Sequence, residues 1–392
     1  MNRNLWLLAI VQGLFLANNV TLIAINGLVG RAIAPHPWMA TLPVMAYVVG
    51  GALSTALVAR TQSQWGRKAS FQVGLLVALL TALAGMVAVV EGWFWVLIAT
   101  TAVAGYYSAN GQLYRFAAAE LAAPAFREKA ISLVMAGGLL GAVIGPNLAK
   151  HTRSLLSAPF AGAYLALAVL AVLSMLLLSR ISFPPVAEKS VDDAAARPLS
   201  EIARSPVFVV ATLAAAISYG VMNLLMAATP LAMDICGMPF SDTALVLEWH
   251  VIGMFAPGFF TGHLIRRFGV LQVMGAGVLL YFACIAIALS GETLQHYLAA
   301  LFLLGAGWNF VFTGSTTLSL DSYRPQEKDR AQGAINFFVF MAMAASSFAS
   351  GALITTQGWQ WLNLGSLLPV AFAGLSLLWL AKRPAPVPGK GA

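Results

Sequence analysis

Apolar residues run through this chain in long stretches, and polar or charged residues are confined to the short breaks between them. A hydrocarbon core about 30 Å thick takes ~20 residues of helix. Twelve stretches of that order occur, over residues 5–29, 38–59, 71–90, 93–114, 130–149, 159–179, 206–230, 242–265, 270–290, 294–318, 331–355 and 360–381. The pattern predicts an all-α membrane protein with twelve transmembrane helices. The first stretch is too long for a signal-peptide core and has no clear cleavage site behind it, so it is expected to be the first span. Residues 181–205 break the pattern with three prolines and a mixed charge run. They are expected to form a cytoplasmic linker between an N-terminal six-helix bundle, 1–180, and a C-terminal bundle with a short tail, 206–392.

Composition strengthens the membrane reading. Hydrophobic residues make up 60% of the 392 and charged residues 9%, and the mean hydropathy is +0.82. Water-facing surface is scarce, and the lipid bilayer is the expected surrounding. With both termini cytoplasmic, 19 of the 22 basic residues fall on the inner side, all but Arg31, Lys150 and Arg153. The positive-inside rule selects that orientation. It also accounts for the net charge of +8, so nucleic acid is not an expected partner.

Enzyme chemistry finds little support. No Gly-x-x-x-x-Gly-Lys loop is present to cradle a nucleotide phosphate. His36, His151, His263 and His296 stand near span ends without carboxylate or cysteine partners at catalytic spacing. Cys236 and Cys284 form neither a CxxC nor a zinc spacing, so no disulfide and no cofactor are expected. Transport by conformational exchange is what remains.

The two halves echo each other. ALVARTQSQWGRK after the second span matches TGHLIRRFGVL after the eighth, with Gly66 and Gly269 aligned. Glu120-LAAP-AFREKA after the fourth span matches Asp321-SYRP-QEKDRA after the tenth, with Pro124 and Pro325 aligned. The loop between the second and third spans resembles the Gly-x-x-x-Asp-x-x-Gly-Arg-Lys signature of the major facilitator superfamily. Ala59 and Ser63 stand at the first Gly and the Asp positions, while Gly66, Arg67 and Lys68 are kept. The later copy keeps Gly262, Arg267 and Gly269, with Arg266 at the Asp position. This resemblance covers almost the whole chain. It implies two pseudo-symmetric six-helix bundles that rock about a central site.

Substrate is addressed by the polar and sulfur-bearing residues inside the spans. Gly137, Gly141, Gly145 and Pro146 of the fifth span are similar to a motif of proton-linked drug exporters; close helix packing gives the same spacing. Against an exporter, the first span offers Gln12, Asn18, Asn19 and Asn26 but no carboxylate. Thr100 and Thr101 stand about where those exporters place a membrane-embedded Arg.

The seventh and eighth spans carry more. Met222 and Met226 lie four apart on one helix face, and His250 and Met254 lie four apart on the next span. Counted inward from outer ends at 230 and 242, Met226 is roughly 6 Å deep, Met222 and His250 roughly 12 Å, and Met254 roughly 18 Å. Read as a hairpin, the four form a ladder from the outer face toward the midplane. Thioether sulfur is soft and uncharged and binds Cu(I) well, and neutral imidazole suits copper too. Such ligands replace the hydration of a monovalent ion while letting it go again. Core packing is the competing reading for the methionines, and a structural hydrogen bond for the histidine.

Met-x-x-x-Met followed by His-x-x-x-Met, set in WHVIGMFAPGFFTGHLIRRFG, resembles the CcoA-like copper importers of proteobacterial inner membranes. The resemblance implies that Met222, Met226, His250 and Met254 carry copper uptake. It also implies that the copper supplies a haem-copper cytochrome oxidase, with a copper chaperone or oxidase assembly factors as partners.

Weaker candidates remain. Met233, Cys236 and Met238 could collect copper at the outer mouth, with loop-side packing the favoured reading; Cys284 is expected to be a buried inert thiol; and Glu248 could couple protons or be a hydrogen-bonded or lipid-edge carboxyl. Met45, Met341 and Met343 lie in spans able to reach the cavity. One alternative is an importer of a flat organic solute such as riboflavin, which would stack on aromatics drawn from Trp6, Tyr106, Tyr107, Tyr219, Trp308 and Phe310. Another is a metal sensor or oxidase assembly partner that moves nothing across the membrane.

Overall fold

A computed structural model of the chain describes residues 3–123, 126–183, 197–324 and 327–383. Pro124 and Pro325, the paired prolines of the internal repeat, and residues 184–196 of the linker lie outside the described residues. The helices are α1 (Arg3–Ile33), α2 (Leu42–Val90), α3 (Phe94–Gly111), α4 (Tyr114–Glu120), α5 (Arg127–Thr152), α6 (Ala161–Ser179) and α7 (Leu199–Ile202). The second half adds α8 (Pro206–Ile235), α9 (Phe240–Phe255), α10 (Gly258–Phe268), α11 (Val270–Ser290), α12 (Leu294–Ser319), α13 (Lys328–Thr356) and α14 (Gly358–Ala381).

Nine helices among the described residues are long and apolar enough to cross a membrane. One of the nine contains two spans: α2 has 49 residues, ~74 Å at 1.5 Å per residue, more than twice a bilayer core. It breaks at Gly66, whose φ of 81° suits a residue without a β-carbon. A further span is the broken pair α9 and α10, bent by 41° at Pro257. The last is α3 with α4, less apolar because it carries Thr100, Thr101, Tyr106, Tyr107 and Asn110. The twelve predicted stretches are therefore all helical, arranged as two six-helix bundles.

The repeat is visible in backbone geometry. Gly66 and Gly269 both have positive φ, 81° and 95°, at the corresponding turns. Arg67 holds Glu120 through two hydrogen bonds, 3.0 Å and 2.5 Å, and also bonds Gln62. Lys68 reaches the Ser179 carbonyl at 2.7 Å. Helix pairing repeats as well, with α5 on α1 in the first half and α13 on α8 in the second. Gly137, Gly141 and Gly145 face α1 so closely that a β-carbon on any of them would strike the backbone of Ala9, Gly13 or Ala17. Their spacing is thus explained by close packing of α1 on α5.

One membrane face carries most of the basic residues; the opposite, charge-poor face carries the loops around residues 34–41, 153–160 and 236–239. Among the described residues, the hydrogen bonds and ring contacts that join the two halves lie toward the charge-poor face. Arg31 pairs with Asp234 at 2.8 Å, Thr41 Oγ1 donates to the Ser347 carbonyl at 2.6 Å, and Asn147 Nδ2 donates to Glu248 Oε2 at 2.9 Å. Phe160 meets Phe240 edge-on at 4.9 Å. The bundle is closed on that side.

Candidate functional site

Met222, Met226, His250 and Met254 are all buried, and the three methionines belong to one apolar core. Their register differs from the predicted ladder. α8 runs on through Pro230 to Ile235 and α9 begins at Phe240, so both ends lie farther out than 230 and 242. Counted from the observed ends, Met226 is ~14 Å and Met222 ~20 Å deep, with His250 at ~15 Å and Met254 at ~21 Å. By this count Met226 and His250 come out at similar depths, as do Met222 and Met254.

The hairpin expectation is also corrected. α8 and α9 touch along little of their length, and each packs more extensively on α12. From α9, the His250 ring bonds the Leu301 carbonyl through Nδ1 at 2.7 Å, and Asn309 Nδ2 donates to the Met254 carbonyl at 2.7 Å. Between these two bonds Gly305 lies against the backbone of His250 and Met254, where a side chain would not fit. From α8, Tyr219 meets Trp308 at 5.1 Å and Phe312 at 4.9 Å, both edge-on. Met222 and Met226 follow Tyr219 by three and seven residues and share its helix face.

His250 is the most informative of the four. A carbonyl only accepts, so its hydrogen bond to Leu301 fixes the proton on Nδ1. In the neutral ring Nε2 then carries a lone pair, and that atom is fully buried with no hydrogen-bond partner. A buried polar atom without a partner costs about 1–3 kcal/mol. Metal-ligating histidines have this arrangement, one nitrogen tied to a carbonyl or carboxylate and the other left for the ion.

The remaining candidates separate. Glu248 bonds Asn147 of the other half, a partner that nothing in the sequence spacing indicates. Met233 is buried, Met238 half-buried and Cys236 exposed. Burial first, and then the neighbouring Glu292, push the Cys236 thiol above its ordinary pKa, which disfavours a thiolate ligand. Cys284 is buried in α11. Met45 and Met343 are half-buried and Met341 is exposed. Among the described residues no group of three or more His, Cys, Asp or Glu is placed to hold a metal ion; thioethers fall outside that set.

Of the aromatic candidates only Tyr219 and Trp308 come together. With Phe255 and Phe312 they form a cluster in which Trp308 stacks on Phe312 at 5.2 Å. Trp308 Nε1 is buried without a partner. Tyr106 shares a hydrogen bond with Thr61, Tyr107 packs on Phe15, Phe310 on Phe260, and Trp6 is exposed.

Comparison with known proteins gives a consistent outline. The profile of the Major Facilitator Superfamily matches residues 5–256 and 212–392. The riboflavin transporter RfnT of Brucella anthropi is 38% identical over 364 residues, covering 92% of this chain and 91% of that one. A crystal structure of a D-xylose-proton symporter superposes with a TM-score of 0.75 at 13% identity, covering 97% of each chain. A bacterial homologue of the iron transporter ferroportin in an inward-facing state gives 0.71 at 17% identity, covering 97% of this chain and 99% of that one. At these identities the two structures speak for the fold.

Proposed function

The chain belongs to the major facilitator superfamily, a multi-pass membrane transporter rather than an enzyme, and from that premise we propose that its substrate is copper. The observation that carries the reading is the buried, unpartnered Nε2 of His250, with Met222, Met226 and Met254 buried on the same two helices. Two thioethers, an imidazole and a third thioether offer soft, uncharged donors in a dry core, suited to Cu(I) and poorly suited to hard cations. In this reading the basic face is cytoplasmic, the membrane is the inner one, and the imported ion supplies a haem-copper oxidase through chaperone or assembly partners. The two bundles, 1–180 and 206–392, would exchange access across the linker 181–205.

Radioactive copper uptake by cells lacking their own importer tests this directly. The native chain is compared with a Met222→Leu, Met226→Leu variant at equal membrane abundance. Leucine conserves volume and removes both sulfurs, so packing should be held to within about 1.5 kcal/mol. Uptake by the native chain, with a fall of tenfold or more in the variant, is the expected result. Equal uptake by both would return the methionines to a packing role.

A second reading has its own support. The 38% identical relative is named a riboflavin transporter, and that name favours a flat organic solute over copper. Tyr219, Trp308 and Phe312 supply the aromatic surface such a ring would need. Under this reading, labelled riboflavin accumulates in the same cells, and the Met-to-Leu variant transports it as well as the native chain does.

A further inference from the structure

Arg115 stands on α4 at the inner end of the fourth span, five residues before the Glu120 that Arg67 holds. A cation at a helix end normally snorkels to water. Here the side chain is half-buried, and its Nε is fully buried without a hydrogen-bond partner. The guanidinium lies over the Phe116 ring at 4.9 Å. Among the described residues Arg31, Arg67 and Arg197 each pair with a carboxylate, and Arg115 pairs with none. A charge drawn out of water without its counter-ion is costly to keep, and such a group in a spanning segment points to function.

Across the gap between the halves, the Arg115 charge acts on Tyr219 of α8. Tyr219, Phe255 and Phe312 are only half-buried, so their ring cluster is partly open. Trp308 of the same cluster, 5.1 Å from Tyr219, holds its Nε1 buried without a partner. Indole N–H and guanidinium only donate. Tyr219 thus has near it two donors that lack acceptors.

We propose that Arg115 and this cluster bind an aromatic carboxylate, the ring lying on the aromatic surface and the carboxylate on the guanidinium. Arginine takes a carboxylate through paired, charge-assisted hydrogen bonds. One positive charge matches one carboxylate, whereas a phosphate monoester, at about −1.5 to −2 near neutral pH, would bring charge that Arg115 cannot match. The inference rests on the flat-solute reading rather than on copper, and adds a negative charge to that solute.

Binding of 2-naphthoate and of 2-naphthamide to the purified full chain, measured by calorimetry, tests it, because the two probes share a ring and differ by one charge. The native chain is expected to bind the naphthoate at least tenfold more tightly. Arg115→Gln should remove that preference by weakening naphthoate alone, and Arg115→Lys, which keeps the charge, should retain a preference. Unchanged naphthamide binding in Arg115→Gln would show that its aromatic surface is intact. Equal binding of both probes by the native chain would overturn the role of Arg115 and leave the flat-solute reading standing. Failure of both to bind would overturn the proposal together with the aromatic surface it rests on. A preference that persists in Arg115→Gln would overturn it too, placing the cation elsewhere.

Discussion

His250 and its two nitrogens show how much a single side chain can carry. Replacing it with alanine would remove the bond that ties α9 to the Leu301 carbonyl as well as Nε2, so lost activity alone would mix folding with ligation. Met254→Leu separates the two, because its backbone carbonyl still receives Asn309. Copper uptake is expected to fall at least fivefold while the unfolding midpoint moves by no more than about 1.5 kcal/mol equivalent; a midpoint collapse would point to packing. The residue types and their four-residue spacing were legible in the sequence. The Leu301 carbonyl was not, because any residue supplies one and only the placement of α12 selects it. Nor could Asn147 be matched with Glu248, since a contact between distant helices leaves no local spacing to read.

Elements were easier to read than their ends. Long apolar runs predicted every span, yet the seventh was stopped at Pro230. Proline inside a membrane helix is tolerated when neighbours take up the freed carbonyl, and α8 continues for another turn, where Leu231 packs beside Gly27. That one turn is what displaces the ladder. The break within α2 could be placed from the basic loop, but its geometry rests on the φ of Gly66. Gly66→Ala should lower the unfolding midpoint, because φ 81° with ψ 170° is a conformation essentially restricted to glycine and costs another residue about 1–3 kcal/mol; an unchanged midpoint would mean that the loop can relax. Gly141→Val is expected to be harsher, with little folded protein by size-exclusion chromatography, because α1 leaves no room for a side chain there. Recovery of a normal monodisperse peak would contradict the packing described.

At the scale of the whole molecule, two charged contacts differ in kind. Arg197 reaches Glu327 through two 2.8 Å hydrogen bonds, while the Arg324 amide donates to the same carboxylate. These hold Glu327 down to about 2, the Arg197 hydrogen bonds first. The folded pKa is depressed, so the contribution is complete above the ordinary carboxylate pKa of ~4.3 and disappears as pH falls toward 2. The midpoint difference between the native chain and Glu327→Gln should stay constant from pH 5 to 8 and narrow below about pH 4. A difference that varies within the upper range would assign it to another group. The Arg31–Asp234 pair, by contrast, is substantially exposed on both sides, and such pairs contribute about 0–1 kcal/mol and are screened by salt. Its loss in Asp234→Asn should shift the balance between closed and open forms by only a few-fold, read as faster thiol labelling at cysteines placed behind it. The closed face therefore joins one exposed ionic stitch to contacts that salt does not screen, the buried Thr41–Ser347 bond and the Phe160–Phe240 rings. Brine on that side would ease that one stitch and leave the rest of the seam in place, so the molecule would feel the saltiness of its surroundings only faintly.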